Sequence, residues 1–145
     1  MIITLTGHRP PRLRGQEKEI KTWLKNILHS FGENNICISG MAAGADQLFA
    51  YTAIEENNKL WCAWPYHKKN RDYAEYLEDH ADNIIFVNQD YSPDCYTIRD
   101  KFMVDQADIV LTVWDGKPWG GTYNTIKYAE QQNKTIIEYR GLKNE

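Results

Sequence analysis

Short apolar runs that stop at glycine or proline, each followed by a segment of helical periodicity, recur along the whole chain and restrict its fold more than any other feature. The first run, Met1 to Thr6 (MIITLT), is rich in β-branched residues and ends at Gly7. Ile20, Trp23, Leu24, Ile27, Leu28 and Phe31 then fall on one helical face, predicting an amphipathic helix over 16–31 that Gly32 stops. Ile36 to Ser39 (ICIS) is a second strand, and Gly40 to Asp46 (GMAAGAD) leads into a helix carrying Leu48, Phe49 and Ala53 on one side. Leu60 to Trp64 is a third strand closed by Pro65, and Tyr73, Tyr76, Leu77 and Ala81 mark a helix over 68–82. Ile84 to Val87 is a fourth strand, and a helix over 93–106 is expected to start with Ser92 as N-cap and Pro93 at its first position. Ile109 to Trp114 (IVLTVW) is the most apolar strand. A last helix opens at Trp119-Gly120-Gly121-Thr122 and runs to about Asn133, before a sixth strand from Thr135 to Tyr139.

Strands and helices alternating at this spacing are βαβ units, which require a mostly parallel sheet covered on both faces. The fold class is therefore α/β, with a sheet of about six strands. A length of 145 residues suits a single domain, and 26% charged against 42% apolar residues is globular rather than disordered composition. Cys37, Cys62 and Cys95 are odd in number, and two of them lie in apolar strands, so they are expected as reduced core residues. His67 and His80 lack metal-ligand spacing with them, so no zinc site is expected, and nothing calls for a cofactor. No apolar stretch approaches the roughly 20 residues of a membrane span, nor does a signal-like segment open the chain. The expectation is a cytoplasmic protein with no membrane partner.

A formal charge of -3 disfavours nucleic acid as a partner. The charge is uneven, however: residues 1–31 carry six basic and two acidic side chains, against three and eleven over 71–115. An anion site near the N-terminus fits that asymmetry.

In parallel α/β sheets ligands bind at the carboxyl ends of the strands. Four loops are predicted at that edge: Gly7 to Arg9, Gly40 to Asp46, Pro65 to Arg71, and Asp115 to Thr122. Gly120-Gly121-Thr122 precedes a helix whose free N–H groups and dipole suit a phosphate, and the hydroxyls of Thr122 and Thr125 can add donors; alternatively this is a glycine turn with Thr122 as a plain cap. Ser39-Gly40, Gly44 and Asp46 form a second such loop, although it matches neither the Walker nor the GxGxxG pattern. Asp46 suits ribose hydroxyls, or caps its helix. His8 and Arg9 end the first strand, with Pro10-Pro11 stiffening the loop behind Arg9. Arg99 has Asp100 beside it and Asp105 six residues on, either of which can pair with it. Trp64, Tyr66, Trp114 and Trp119 lie at strand ends or in edge loops, placed to stack on a base or to pack in the core.

The ordered set Thr6-Gly7-His8-Arg9-Pro10, Ser39-Gly40-Met41-Ala42-Ala43-Gly44-Ala45-Asp46, Pro65-Tyr66, Arg99 with Met103 to Asp108, Trp114-Asp115-Gly116 and Gly120 to Thr125 resembles the SLOG superfamily, with its YpsA-like branch closest. The resemblance spans Thr6 to about Ala129. It implies a Rossmann-like three-layer domain over 1–145 that binds a nucleotide or nucleotide-derived ligand, with relatives that include DNA-processing protein A and the cytokinin-activating phosphoribohydrolases. Those hydrolases carry a Pro-Gly-Gly-x-Gly-Thr loop and a following Glu; Pro118-Trp119-Gly120-Gly121-Thr122 lacks the last glycine, and position 125 is Thr. Binding or sensing is therefore the leading expectation. The alternative is N-glycosidic hydrolysis, with Asp46, Asp105 or Asp115 as the acid that activates water or stabilises the ribosyl cation. The relatives also suggest a homo-oligomer.

Overall fold

In the computed structural model, which describes residues 1–143, six strands form one all-parallel sheet in the order β4-β3-β2-β1-β5-β6. Along the chain these are β1 (Ile2–Gly7), α1 (Glu17–Phe31), β2 (Ile36–Ser39), α2 (Ala45–Glu55), β3 (Lys59–Tyr66), α3 (Glu75–Asp79), β4 (Asn83–Asn88), α4 (Cys95–Gln106), β5 (Ile109–Val113), α5 (Gly121–Gln131) and β6 (Thr135–Tyr139). The architecture is a three-layer Rossmann-like α/β domain.

Alternation along the strands builds two separate cores. Ile3, Leu5, Leu111 and Val113 point to one face, where Ile20, Leu24 and Leu28 of α1 and Phe49 and Ala53 of α2 cover them. Val110 faces the other way, onto Val104 and Ala129 of α4 and α5, and Ile38 and Ala63 meet Met103 of α4 on that same side. Under α2 and α3, Leu60, Cys62 and Trp64 pack against Ala50 and Leu77. All three cysteines are buried and unpaired, and burial pushes the Cys37 and Cys62 thiols up to about 12.

Two segments depart from the sequence pattern. β3 does not close at Pro65 but continues to Tyr66, because β2 ends at Ser39 opposite Cys62 and leaves no strand on one side of Pro65 to demand its N–H. Its carbonyl accepts from Asn88 Nδ2 at 2.7 Å. The helix expected over 68–82 shrinks to one 3-10 turn at Asp72–Ala74 and the five residues of α3, since Tyr73 and Tyr76 are about half exposed and only Ala74 and Leu77 are buried. At α4 the N-cap is Asp94 rather than Ser92, whose hydroxyl instead donates to Asp94 Oδ1. No helix among the described residues is long and apolar enough to cross a membrane.

Candidate functional site

The strand order sets where a ligand can enter. From β1 the chain steps outward through β2, β3 and β4, then crosses to the opposite side of β1 for β5 and β6, so the loops after β1 and β5 diverge and leave a crevice between them. A cavity of about 310 Å³ opens there, walled by the β1 loop, the loop before α2, α4 and the start of α5.

One end of the cavity is the N-terminus of α5. The first intrahelical bond of its opening turn runs from Asn124 N–H to Gly120 O at 3.0 Å, which leaves the N–H groups of Gly121, Thr122 and Tyr123 without helical acceptors. Gly120 needs to be glycine, with φ at +97°, whereas a Cβ on Gly121 would meet nothing within 4 Å. Gly121 and Thr122 both line the cavity.

Three arginines line the cavity. Arg12 forks onto Asp115, with Nε to Oδ2 at 2.9 Å and Nη2 to Oδ1 at 2.8 Å, and its guanidinium lies 4.0 Å from the centre of the Trp119 ring. Pro10 and Pro11 start the 3-10 turn Pro10–Arg12, so the stiffening expected for Arg9 in fact positions Arg12. Arg9 is exposed at the cavity mouth, where its carbonyl accepts from the Arg12 N–H at 3.1 Å. Arg99 is buried and fills the notch where β2 stops and β3 runs on: Nη1 donates to the carbonyls of Gly40 at 2.6 Å and Ala63 at 3.2 Å, and Nε to Asp100 Oδ1 at 2.7 Å.

The acids divide by environment. Asp46 is buried against the cavity, where it accepts from the Ala42 N–H at 3.3 Å. Burial pushes its carboxyl up to about 7 against the pull of Arg99, Asp100 adding to the rise while the Ala42 N–H and Arg9 oppose it. Burial would raise Asp115 too, but the Arg12 fork, the Lys117 N–H and His8 more than offset this and hold it well below the usual carboxylate range. His8 Nε2 lies 3.2 Å from both the N–H and Oδ1 of Asp115. Burial and then Arg12 lower its pKa against the opposing Asp115, and its Nε2 is placed to accept from that N–H.

No family model matches the chain, and no curated protein matches it in sequence. Solved structures do match in shape. DNA processing protein A from Streptococcus pneumoniae superposes over 96% of the chain with a TM-score of 0.75 at 14% identity, and the chain spans only 50% of that protein. The molybdenum cofactor carrier protein of Chlamydomonas reinhardtii covers 99% of the chain and 77% of its own length, with a TM-score of 0.69 and 16% identity. The molybdenum cofactor binding protein of Rippkaea orientalis covers the same shares at 17% identity and a TM-score of 0.65. The chain shares their fold. It is the Rossmann-like three-layer fold expected from the sequence.

Of the residues singled out from sequence, Gly7, His8, Arg9, Asp46, Arg99, Gly120, Gly121 and Thr122 line the cavity, with Gly40 in an adjoining wall. Ser39 lies beneath it: its hydroxyl donates to the Asp46 carbonyl at 2.8 Å and accepts from the Met41 N–H. Gly44 packs the second loop on the first, since a Cβ there would sit 2.6 Å from the His8 carbonyl. Asp115 is a brace for Arg12 rather than a cavity wall. Thr125 Oγ1 bonds the Gly121 carbonyl at 2.8 Å and Asp100 at 3.3 Å, tying α5 to α4.

Two expectations are corrected by position. Trp114 turns away, its Nε1 donating to the Lys117 carbonyl and its ring 5.8 Å from that of Tyr123, in a hollow against β6. Asp105 lies in the last turn of α4 outside the cavity lining and accepts from the Tyr128 hydroxyl at 2.6 Å; Asp100 is the acid that pairs with Arg99. Arg12, Tyr96, Asp100 and Met103 were not singled out as site residues, although all four line the cavity. The three on α4 became visible only once that helix was laid along the crevice, while the diproline before Arg12 was a usable signal.

Proposed function

We propose that this chain binds a nucleotide or a nucleotide-derived small molecule at the β1/β5 crevice, as a sensor or sequestering domain. A phosphate sits on the N–H groups of Gly121 and Thr122 within reach of Arg9 and Arg12, and Asp46 accepts from ribose hydroxyls. The observation that carries this reading is the α5 N-terminus, stripped of side chains by Gly120 and Gly121, opening into a cavity flanked by arginines. The names of two structural neighbours, a carrier and a binding protein for molybdenum cofactor, also favour capture of a small molecule over its turnover.

A second reading, N-glycosidic hydrolysis, draws on Asp46. A carboxyl pushed up to about 7 in a ligand cavity has the protonation range of a general acid. Asp105 lies outside the cavity and Asp115 is committed to Arg12, so Asp46 is the acid left to that reading among those named from sequence.

The test is to incubate the protein with nucleoside mono-, di- and triphosphates, ADP-ribose and cyclic nucleotides, record melting shifts, and then analyse each mixture by mass spectrometry. A stabilising ligand recovered intact is the expected result. Free base with a ribose phosphate establishes the hydrolase instead, and no shift with any ligand removes both.

A further inference from the structure

A second hollow, of about 210 Å³, adjoins the crevice at the carboxyl ends of β2 and β3. The two share Arg9, Ala42, Tyr96 and Arg99 as wall residues, so they are neighbouring parts of one groove, with Arg99 in its floor. Their linings differ. The first holds the α5 N-terminus and the Arg12 fork, whereas the second is walled by Trp64, Tyr73 and Tyr96, with Lys68 at its rim. Trp64 is fixed by its Nε1 bond to Glu78 at 2.8 Å and by the edge of Tyr73, whose ring centre is 6.0 Å away. Tyr73 and Tyr96 are 54% and 39% exposed, leaving aromatic surface uncovered on both sides of the hollow. Trp119 lies beside the phosphate end with the Arg12 guanidinium 4.0 Å from its ring centre, whereas the cations over Tyr73 and Tyr96 stand farther off, Lys68 at 5.1 Å and Arg99 at 5.7 Å.

We propose that this second hollow is a ring subsite: the ligand is an elongated nucleoside phosphate whose base lies against Tyr96 and Tyr73, while its phosphate reaches back to Gly121. The inference rests on the proposed phosphate site and assigns the other end of the same ligand. Both hollows together fall within the roughly 300–1,000 Å³ of small-molecule sites. Aromatic surface beside cationic groups accepts any base through its π-face.

Titration calorimetry with inorganic phosphate, ribose 5-phosphate and the four 5′-mononucleotides AMP, GMP, CMP and UMP separates the two ends. In the wild-type protein at least one mononucleotide should bind tenfold or more tighter than ribose 5-phosphate. Tyr73→Ala, at a residue that lines only the second hollow, should remove most of that advantage and leave ribose 5-phosphate affinity within about twofold of wild type, with Tyr96→Ala, at a residue that lines both hollows, as a second variant that should also lower that affinity. If ribose 5-phosphate binds as tightly as all four mononucleotides, the ring subsite is overturned while the phosphate site stands. The same holds if both tyrosine variants keep the full advantage. Should no compound bind at all, the phosphate site falls, and the ring subsite with it.

Discussion

Gly121 has no steric reason to be glycine, since neither a positive φ nor a close neighbour requires it. Gly121→Ala should therefore leave stability unchanged or raise it by up to about 1 kcal/mol, while weakening phosphate binding by crowding the helix N-terminus. Gly121→Asp should abolish binding with the fold intact. Parallel urea melts and calorimetry on the two variants check both statements. Asp46 makes a pH-dependent contribution. Its folded pKa, about 7, lies above the unfolded value of 3.8, so the stability it contributes is full below about pH 4 and is lost as pH rises through 7. Asp46→Asn should remove that decline, so that its stability relative to wild type improves by a few kcal/mol, roughly 2–4, between pH 4 and pH 8. His8, whose pKa is lowered, acts in the opposite sense but is present in both proteins, so the difference between their denaturation curves isolates Asp46. At this scale the places of the glycines and Asp46 beside the cavity could be read from the chain because a loop of small residues that ends in an acid at a helix start is a local pattern. Trp114 could not be read in this way, and Arg12 only through the diproline before it. Which way each side chain turns depends on a 3-10 turn and on the approach of Tyr123, neither of which leaves a periodic trace.

Among the elements, α2 shows how closely the site is joined to the core. Its N-terminus lies against β1 because Gly44 takes φ +97° beside the His8 carbonyl, and the Ala45 N–H donates to that same carbonyl at 3.1 Å. Gly44→Ala combines backbone strain with a close contact, and should cost about 1–3 kcal/mol and widen the gap between the first two loops. Chemical denaturation gives the first effect, and loss of ligand affinity the second. Elements with clean apolar spacing, α1 and β6 among them, were legible to within a residue or two. α3 was not, because tyrosines at helical spacing imitate a buried face although Tyr73 and Tyr76 remain in solvent. β3 ran past its proline for a reason outside its own sequence: its neighbour was too short to require the missing N–H.

Across the whole molecule, the excess of acidic over basic residues and the small basic cavity act on different partners. A local cluster of Arg9, Arg12 and the α5 N-terminus suits one phosphorylated small molecule, whereas a nucleic-acid strand needs a continuous basic track. Although a structural neighbour is a DNA processing protein, gel-shift titration with a single-stranded oligonucleotide at about 0.15 M salt should show no retardation. Half of that neighbour's length lies outside the region the chain matches. The fold class could be read from the βαβ alternation, but the order of the strands could not, and it is the order that brings β1 beside β5. His8 and Asp115 meet across 107 positions of the chain, and Gly7 and Gly121 line the same crevice from opposite ends of the sequence. Contacts of such long range form late, after the helices and the nearer βαβ units have closed their own loops. Gly121 and Thr122 follow Arg9 and Arg12 by more than a hundred positions, so a chain still emerging from the ribosome would carry those two arginines long before the helix start that faces them.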